Sequence, residues 1–150
     1  MEIELKYEDN VRFELRCTEN MLERAKSANN LRDQISRAYY ACYHAAIAAI
    51  FLKEEYIYDR SSDNAHWRVR DQYAKIYSKT RGNRIVSESN AFQAMKNWHD
   101  LRKSADYDIF TDDFEINFED STKAELYRMY RFVNRHTEYV KTQLGEKNKN

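Results

Sequence analysis

The chain has 150 residues, enough for one domain with a sizeable core. Lys+Arg and Asp+Glu balance at 25 each, so net charge argues for no nucleic-acid, membrane or acidic partner, and only a local patch can do so. Proline is absent and glycine occurs twice, which excludes a fold rich in tight turns and favours helices.

Met1-Glu2-Ile3-Glu4 is acidic and has no apolar signal region, and no apolar run reaches membrane-spanning length. The expectation is a cytoplasmic protein with no membrane partner. It is one domain over 1–150, with its core at about 10–144 and a solvated tail from Gly145 to Asn150. Cys17 and Cys42 fall on apolar faces and read as reduced core residues, since two cysteines make no disulfide framework.

Residues 1–9 read as irregular. Val11, Leu15, Met21, Leu22 and Ala25 then recur at near-helical spacing and predict a first helix from Asn10 to about Ala28. Asn29-Asn30 allows only a short connection, so the next helix is expected antiparallel to it. That second helix, about Leu31 to Lys53, is apolar and aromatic all round, which places it inside a bundle. Tyr56 to Asn64 reads as a loop. A third helix, about Asn64 to Ser78, carries Val69, Tyr73, Ile76 and Tyr77 on one face. Lys79 to Arg84 is a basic loop whose cations can touch RNA phosphates. A fourth helix begins near Ser87 to Asn90, shows Phe92, Met95, Trp98 or His99, and Arg102, and stops near Ala105 to Tyr107. Asp108 to Asp120 alternates acidic and aromatic residues and reads as an extended arm. Thr122-Lys123-Ala124-Glu125 has capping-box spacing and is expected to open the last helix. The fold class is therefore all-α, an antiparallel bundle of four to five helices.

The usual catalytic signatures are missing from the sequence. There is no glycine-rich phosphate loop, no His-Glu-x-x-His, no Cys or His cluster with zinc spacing and no Gly-x-Ser-x-Gly. The nearest approach to a metal motif is Asp63-x-x-His66, without a second copy. No cofactor and no metal is implied.

Two segments carry a resemblance. Ser36-Arg37-Ala38-Tyr39-Tyr40-Ala41-Cys42-Tyr43-His44-Ala45-Ala46 and Leu101-Arg102-Lys103-Ser104-Ala105-Asp106-Tyr107-Asp108 are similar to motifs of the HEPN (higher eukaryotes and prokaryotes nucleotide-binding) superfamily. The resemblance implies a HEPN-like helical bundle and a homodimer. It also implies membership of a group that includes ribonucleases of toxin–antitoxin and defence systems, many with a minimal nucleotidyltransferase antitoxin as partner. Ribonuclease members carry Arg-x(4–6)-His on a late helix. At that place this chain has Arg102-x4-Tyr107, so Tyr replaces His. Arg37-x6-His44, Arg60-x5-His66 and Arg131-x4-His136 keep the spacing elsewhere.

On these grounds Arg37, His44 and Arg102 are the candidate catalytic residues, with Tyr40, Asp106 and Tyr107 as substrate-binding candidates. Imidazole titrates near neutrality and suits proton transfer, while guanidinium clamps phosphate with two parallel hydrogen bonds. Arg37 and His44 lie two turns apart on one face, about 10 Å along the axis. The function expected is binding of RNA or a nucleotide with metal-independent RNA cleavage. The alternative is an inert nucleotide-binding or docking module for a nucleotidyltransferase. The same residues also fit a purely structural network in which Arg37 pairs with Asp106 inside the bundle.

Overall fold

The computed structural model describes residues 8–53, 65–77, 91–107 and 112–145. Among them are five helices and no strand: α1 Glu8–Ser27, α2 Leu31–Phe51, α3 Ala65–Tyr77, α4 Ala91–Tyr107 and α5 Asp112–Gln143. No helix among the described residues is long and apolar enough to cross a membrane. The expected loops at Tyr56 to Asn64 and Lys79 to Arg84 lie outside the described residues.

α2 is the axis of the bundle, and α1, α3, α4 and α5 all pack against it. Its start is fixed by Asn30, whose side-chain oxygen accepts the Asp33 backbone N–H at 2.9 Å and so satisfies one orphan donor of the first turn. From there Ile35, Ala38, Tyr39, Ala41, Cys42 and the run Ala45 to Ile50 are buried. Alanine on so many positions lets four neighbours approach closely. The main core joins this helix to Val69, Tyr73 and Tyr77 of α3, Met95 and Trp98 of α4, and Met129, Phe132 and Val133 of α5. A smaller cluster closes one end: Val11 and Leu15 of α1, Ala48 and Leu52 at the end of α2, and Val140 and Leu144 at the end of α5.

The contacts give the helix directions. Ser36 meets Asp106 and Tyr40 meets Arg102, so α4 runs antiparallel to α2, as α1 does across its short turn. Tyr39 meets His66 and Tyr77 meets Ala49, so α3 runs alongside α2 in the same direction. α5 also runs with α2, from Cys42 against Met129 to Leu52 beside Leu144. A parallel α2–α3 pair needs the chain to return along α2.

One expectation is corrected. Residues 112–120, expected as part of an extended arm, are the first turns of α5. Asp112, Asp113 and Glu115 favour a helix N-terminus electrostatically, and Phe114 and Phe118 are four apart, which is helical as well as alternating spacing. Thr122-x-x-Glu125 is consequently interior rather than a cap. Glu125 accepts the Trp98 indole N–H at 2.8 Å, tying α5 to α4.

The core contains its own polar pairs. His136 is fully buried, with Nδ1–H donated to the Phe132 carbonyl at 2.7 Å, which leaves Nε2 to accept the Tyr73 hydroxyl. Arg131 is exposed, so Arg131-x4-His136 makes no site.

Two substitutions check this account. Ile47→Ala removes a fully buried side chain from the C-terminal half of α2 and is expected to lower stability by about 2–5 kcal/mol. Asn30→Ala should cost about 1 kcal/mol. Urea melts followed by helical circular dichroism measure both, and equal losses would contradict the central role of α2.

Candidate functional site

The two sequence motifs meet in space. Ser36 Oγ donates to Asp106 Oδ2 at 3.3 Å, and Arg102 donates from Nη2 to the Tyr40 hydroxyl with its guanidinium 5.1 Å from the Tyr40 ring centre. Arg102 Nε lies 3.5 Å from Asp106 Oδ2, an ion pair without hydrogen-bond alignment. Arg32 Nε donates to the Ala105 carbonyl at 2.8 Å and closes the end of α4.

Beside this junction α3 and α4 each present a histidine with an arginine one turn later: His66 and Arg70 on α3, His99 and Arg102 on α4. Spacings of four and three place each pair on one face. The imidazoles of His66 and His99 stack with ring centres 4.4 Å apart and planes 12° apart. Tyr39 of α2 lies under His99 at 5.3 Å, and Tyr43 stacks on His66 at 4.5 Å. The Tyr39 hydroxyl and His66 Nδ1 share a hydrogen bond of 2.7 Å. Arg70 Nη1 is 3.3 Å from His99 Nδ1. Guanidinium only donates, so His99 Nδ1 accepts and a neutral His99 carries its proton on Nε2.

Both arginines are buried, Arg70 with 5% and Arg102 with 9% of its surface exposed. Arg70 pairs with no carboxylate among the described residues. Its Nε has no hydrogen-bond partner among the described residues, and its guanidinium lies 5.4 Å from the Phe92 ring centre. Phe92 in turn makes an edge contact at 6.3 Å with Trp67, which is 49% exposed. The cluster thus has a cationic floor and an aromatic rim.

The field follows from these positions. Burial first, then Arg102, Arg70 and Lys103, lowers the His66 pKa to about 4. Burial, His66 and the same three cations lower His99 to about 4 as well. Burial pushes the Tyr39 phenol well above its usual range. Near pH 7 the site holds two neutral imidazoles and a neutral phenol between two permanent cations. No family model matches the chain, and no curated protein or solved structure shows significant similarity to it.

Of the residues singled out in the sequence, Arg102, Tyr40 and Asp106 are brought together. Tyr107 is the last residue of α4, and its side chain is outside the described ones. Arg37 is exposed, and Asp106, its expected partner, is taken by Ser36 and Arg102 instead. His44 turns to α1, where its Nδ1 lies 2.6 Å from Glu14 Oε2. Arg37-x6-His44 therefore does not converge on Arg102. His66, Arg70 and His99 carry the cluster, although in the family motif Arg comes before His. The signal that marks them is His before Arg by three or four, repeated on two helices.

The lowered pKa values fix a pH dependence. An imidazole whose pKa is about 4 when folded, against the ordinary 6.5, takes up its proton more readily unfolded. Its contribution to stability is complete above about pH 6.5 and is lost as pH falls toward 4. Wild type should lose stability across that window, with His136, held to about 3 mainly by burial, adding to the loss. The double variant His66→Gln/His99→Gln should lose less over the same interval in urea melts. An unchanged slope would show that these two rings are not held neutral.

Proposed function

We propose that the His66–Arg70–His99–Arg102 cluster binds an RNA phosphodiester and cleaves it without a metal ion. The observation that supports this best is Arg70, a buried cation with no carboxylate partner among the described residues, placed against two neutral histidines. A buried unpaired charge is costly, and an anionic ligand between Arg70 and Arg102 offsets that cost. Phosphate matches the planar, donor-only guanidinium, and Trp67 and Phe92 offer faces on which a base can stack. The resemblance of the Ser36–Ala46 and Leu101–Asp108 segments to HEPN domains supports the same reading.

The chemistry assigned to the cluster is transfer of the phosphate to the neighbouring 2′-hydroxyl. With Nδ1–H donated to the Tyr39 oxygen, His66 has its Nε2 lone pair free to take the 2′-hydroxyl proton. The 2′-oxygen then bonds to phosphorus, and the bond to the 5′-oxygen breaks. The His66 imidazolium returns the proton to that 5′-oxygen, so the products are a 2′,3′-cyclic phosphate and a 5′-hydroxyl. His99 Nε2–H and the two guanidiniums stabilise the charge that builds on the phosphate oxygens. A bound phosphate also opposes the cationic field that depresses the histidines, moving their pKa values back toward the working range.

The test is cleavage of a mixed RNA pool by the full-length protein in excess EDTA, with product ends identified. Cyclic phosphate ends are expected, and no cutting of the same sequences as DNA. His66→Gln should slow cleavage about 10²–10⁴-fold. Arg102→Lys should slow it too, whereas Arg37→Ala should not. Absence of cleavage by wild type, or full activity in folded His66→Gln, overturns the reading.

A further inference from the structure

Away from this cluster, the described residues bring together three side chains of different ligand chemistry: Glu14 and Cys17 of α1 and His44 of α2. One oxygen, one sulfur and one nitrogen from them all lie within 4.8 Å of one another. The arrangement follows from the fold. Glu14 and Cys17 are three apart on one helix face, and the antiparallel packing of α1 on α2 sets His44 opposite them. Glu14 is 1% exposed, and its Oε2 lies 2.6 Å from His44 Nδ1. Cys17 and His44 are partly exposed, which gives an ion a path from solvent.

We propose that Glu14, Cys17 and His44 form a binding site for a zinc-type divalent cation, with a fourth position open to water. Three protein ligands and one open position is the arrangement of an accessible tetrahedral zinc site. Zinc–ligand bonds of about 2.0–2.3 Å place neighbouring ligand atoms roughly 3.5 Å apart. The Nδ1–Oε2 pair opens by about an ångström to reach that spacing, and the thiol closes on it by side-chain rotation. As the ion takes the Nδ1 lone pair, the His44 ring proton moves to Nε2 and the imidazole stays neutral, while the Cys17 thiol proton goes to solvent. A mixed oxygen, nitrogen and sulfur set selects zinc, or its spectroscopic substitute cobalt, over magnesium and calcium, which take oxygen alone. Tyr43 stands between this site and the phosphate cluster, 5.9 Å from the His44 ring and 4.5 Å from that of His66.

The test is titration of the reduced, full-length protein with Co²⁺, read by its electronic spectrum. A thiolate-to-cobalt charge-transfer band and the intense visible bands of four-coordinate cobalt are expected, both abolished by added Zn²⁺. Cys17→Ser should lose the charge-transfer band, and His44→Gln should weaken binding at least about ten-fold. Cys42→Ser should keep the spectrum. Zinc should raise the melting temperature of wild type and not that of Cys17→Ser. No charge-transfer band in wild type, or the same band in Cys17→Ser, overturns the proposal. So does binding that is lost in His66→Gln and kept in Cys17→Ser.

Discussion

The four other helices enclose α2 along most of its length, and of its residues only Asp33 and Arg37 are exposed. Each hydrogen-bonding side chain on its enclosed faces must be met by a neighbour, because an unmet buried donor or acceptor costs about 1–3 kcal/mol. Tyr39 is met by His66 of α3, Tyr40 by Arg102 of α4, Cys42 by the Met129 carbonyl of α5, and His44 by Glu14 of α1. Each of the four surrounding helices is thus fixed to α2 by a polar contact as well as by apolar packing. The registers that these contacts set are what bring the histidines and arginines of α3 and α4 together.

The cluster has an unusual electrostatic arrangement. Arg70 and Arg102 are buried, and the groups packed between them are imidazoles held neutral rather than carboxylates. Asp106 meets one side of Arg102, through Nε, and also accepts from Ser36. Arg70, by contrast, pairs with no carboxylate among the described residues. Desolvation does two things here: it strengthens the attraction of the guanidiniums for an anion, and it keeps the rings in the form that accepts a proton. Because Tyr39 and Tyr43 stack on the rings, the imidazoles are oriented before any ligand arrives.

Much of the bundle was legible in the sequence because its signal is periodic and local. The uninterrupted run through Ala45 to Phe51 marked the central helix, and the Asn29-Asn30 turn marked the first antiparallel pair. The start of α5 was not legible, because Phe114 and Phe118 alternate with acidic residues in a way that suits both an extended segment and a helix face. At the site, Tyr40, Arg102 and Asp106 could be singled out from their motifs. Arg70 and His99 could not, since their meaning depends on α3 and α4 facing each other. Arg37 and His44 share a turn count but not a destination: one is exposed and the other bonds to α1. The grouping of Glu14 and Cys17 with His44 was hidden for the same reason, because only the packing of α1 on α2 joins them.

The central claim is that two neutral histidines wait between two buried arginines for a phosphodiester. Long-range nitrogen-15 NMR of the histidine rings, during titration with an RNA oligonucleotide uncleavable through 2′-O-methyl groups, tests it most directly. At pH 7 the account predicts neutral His66 and His99 in the free protein, with the His99 proton on Nε2. Both rings should then shift in a saturable way as the oligonucleotide is added. Imidazolium signals in the free protein, or rings that stay unmoved at saturating oligonucleotide, would contradict it.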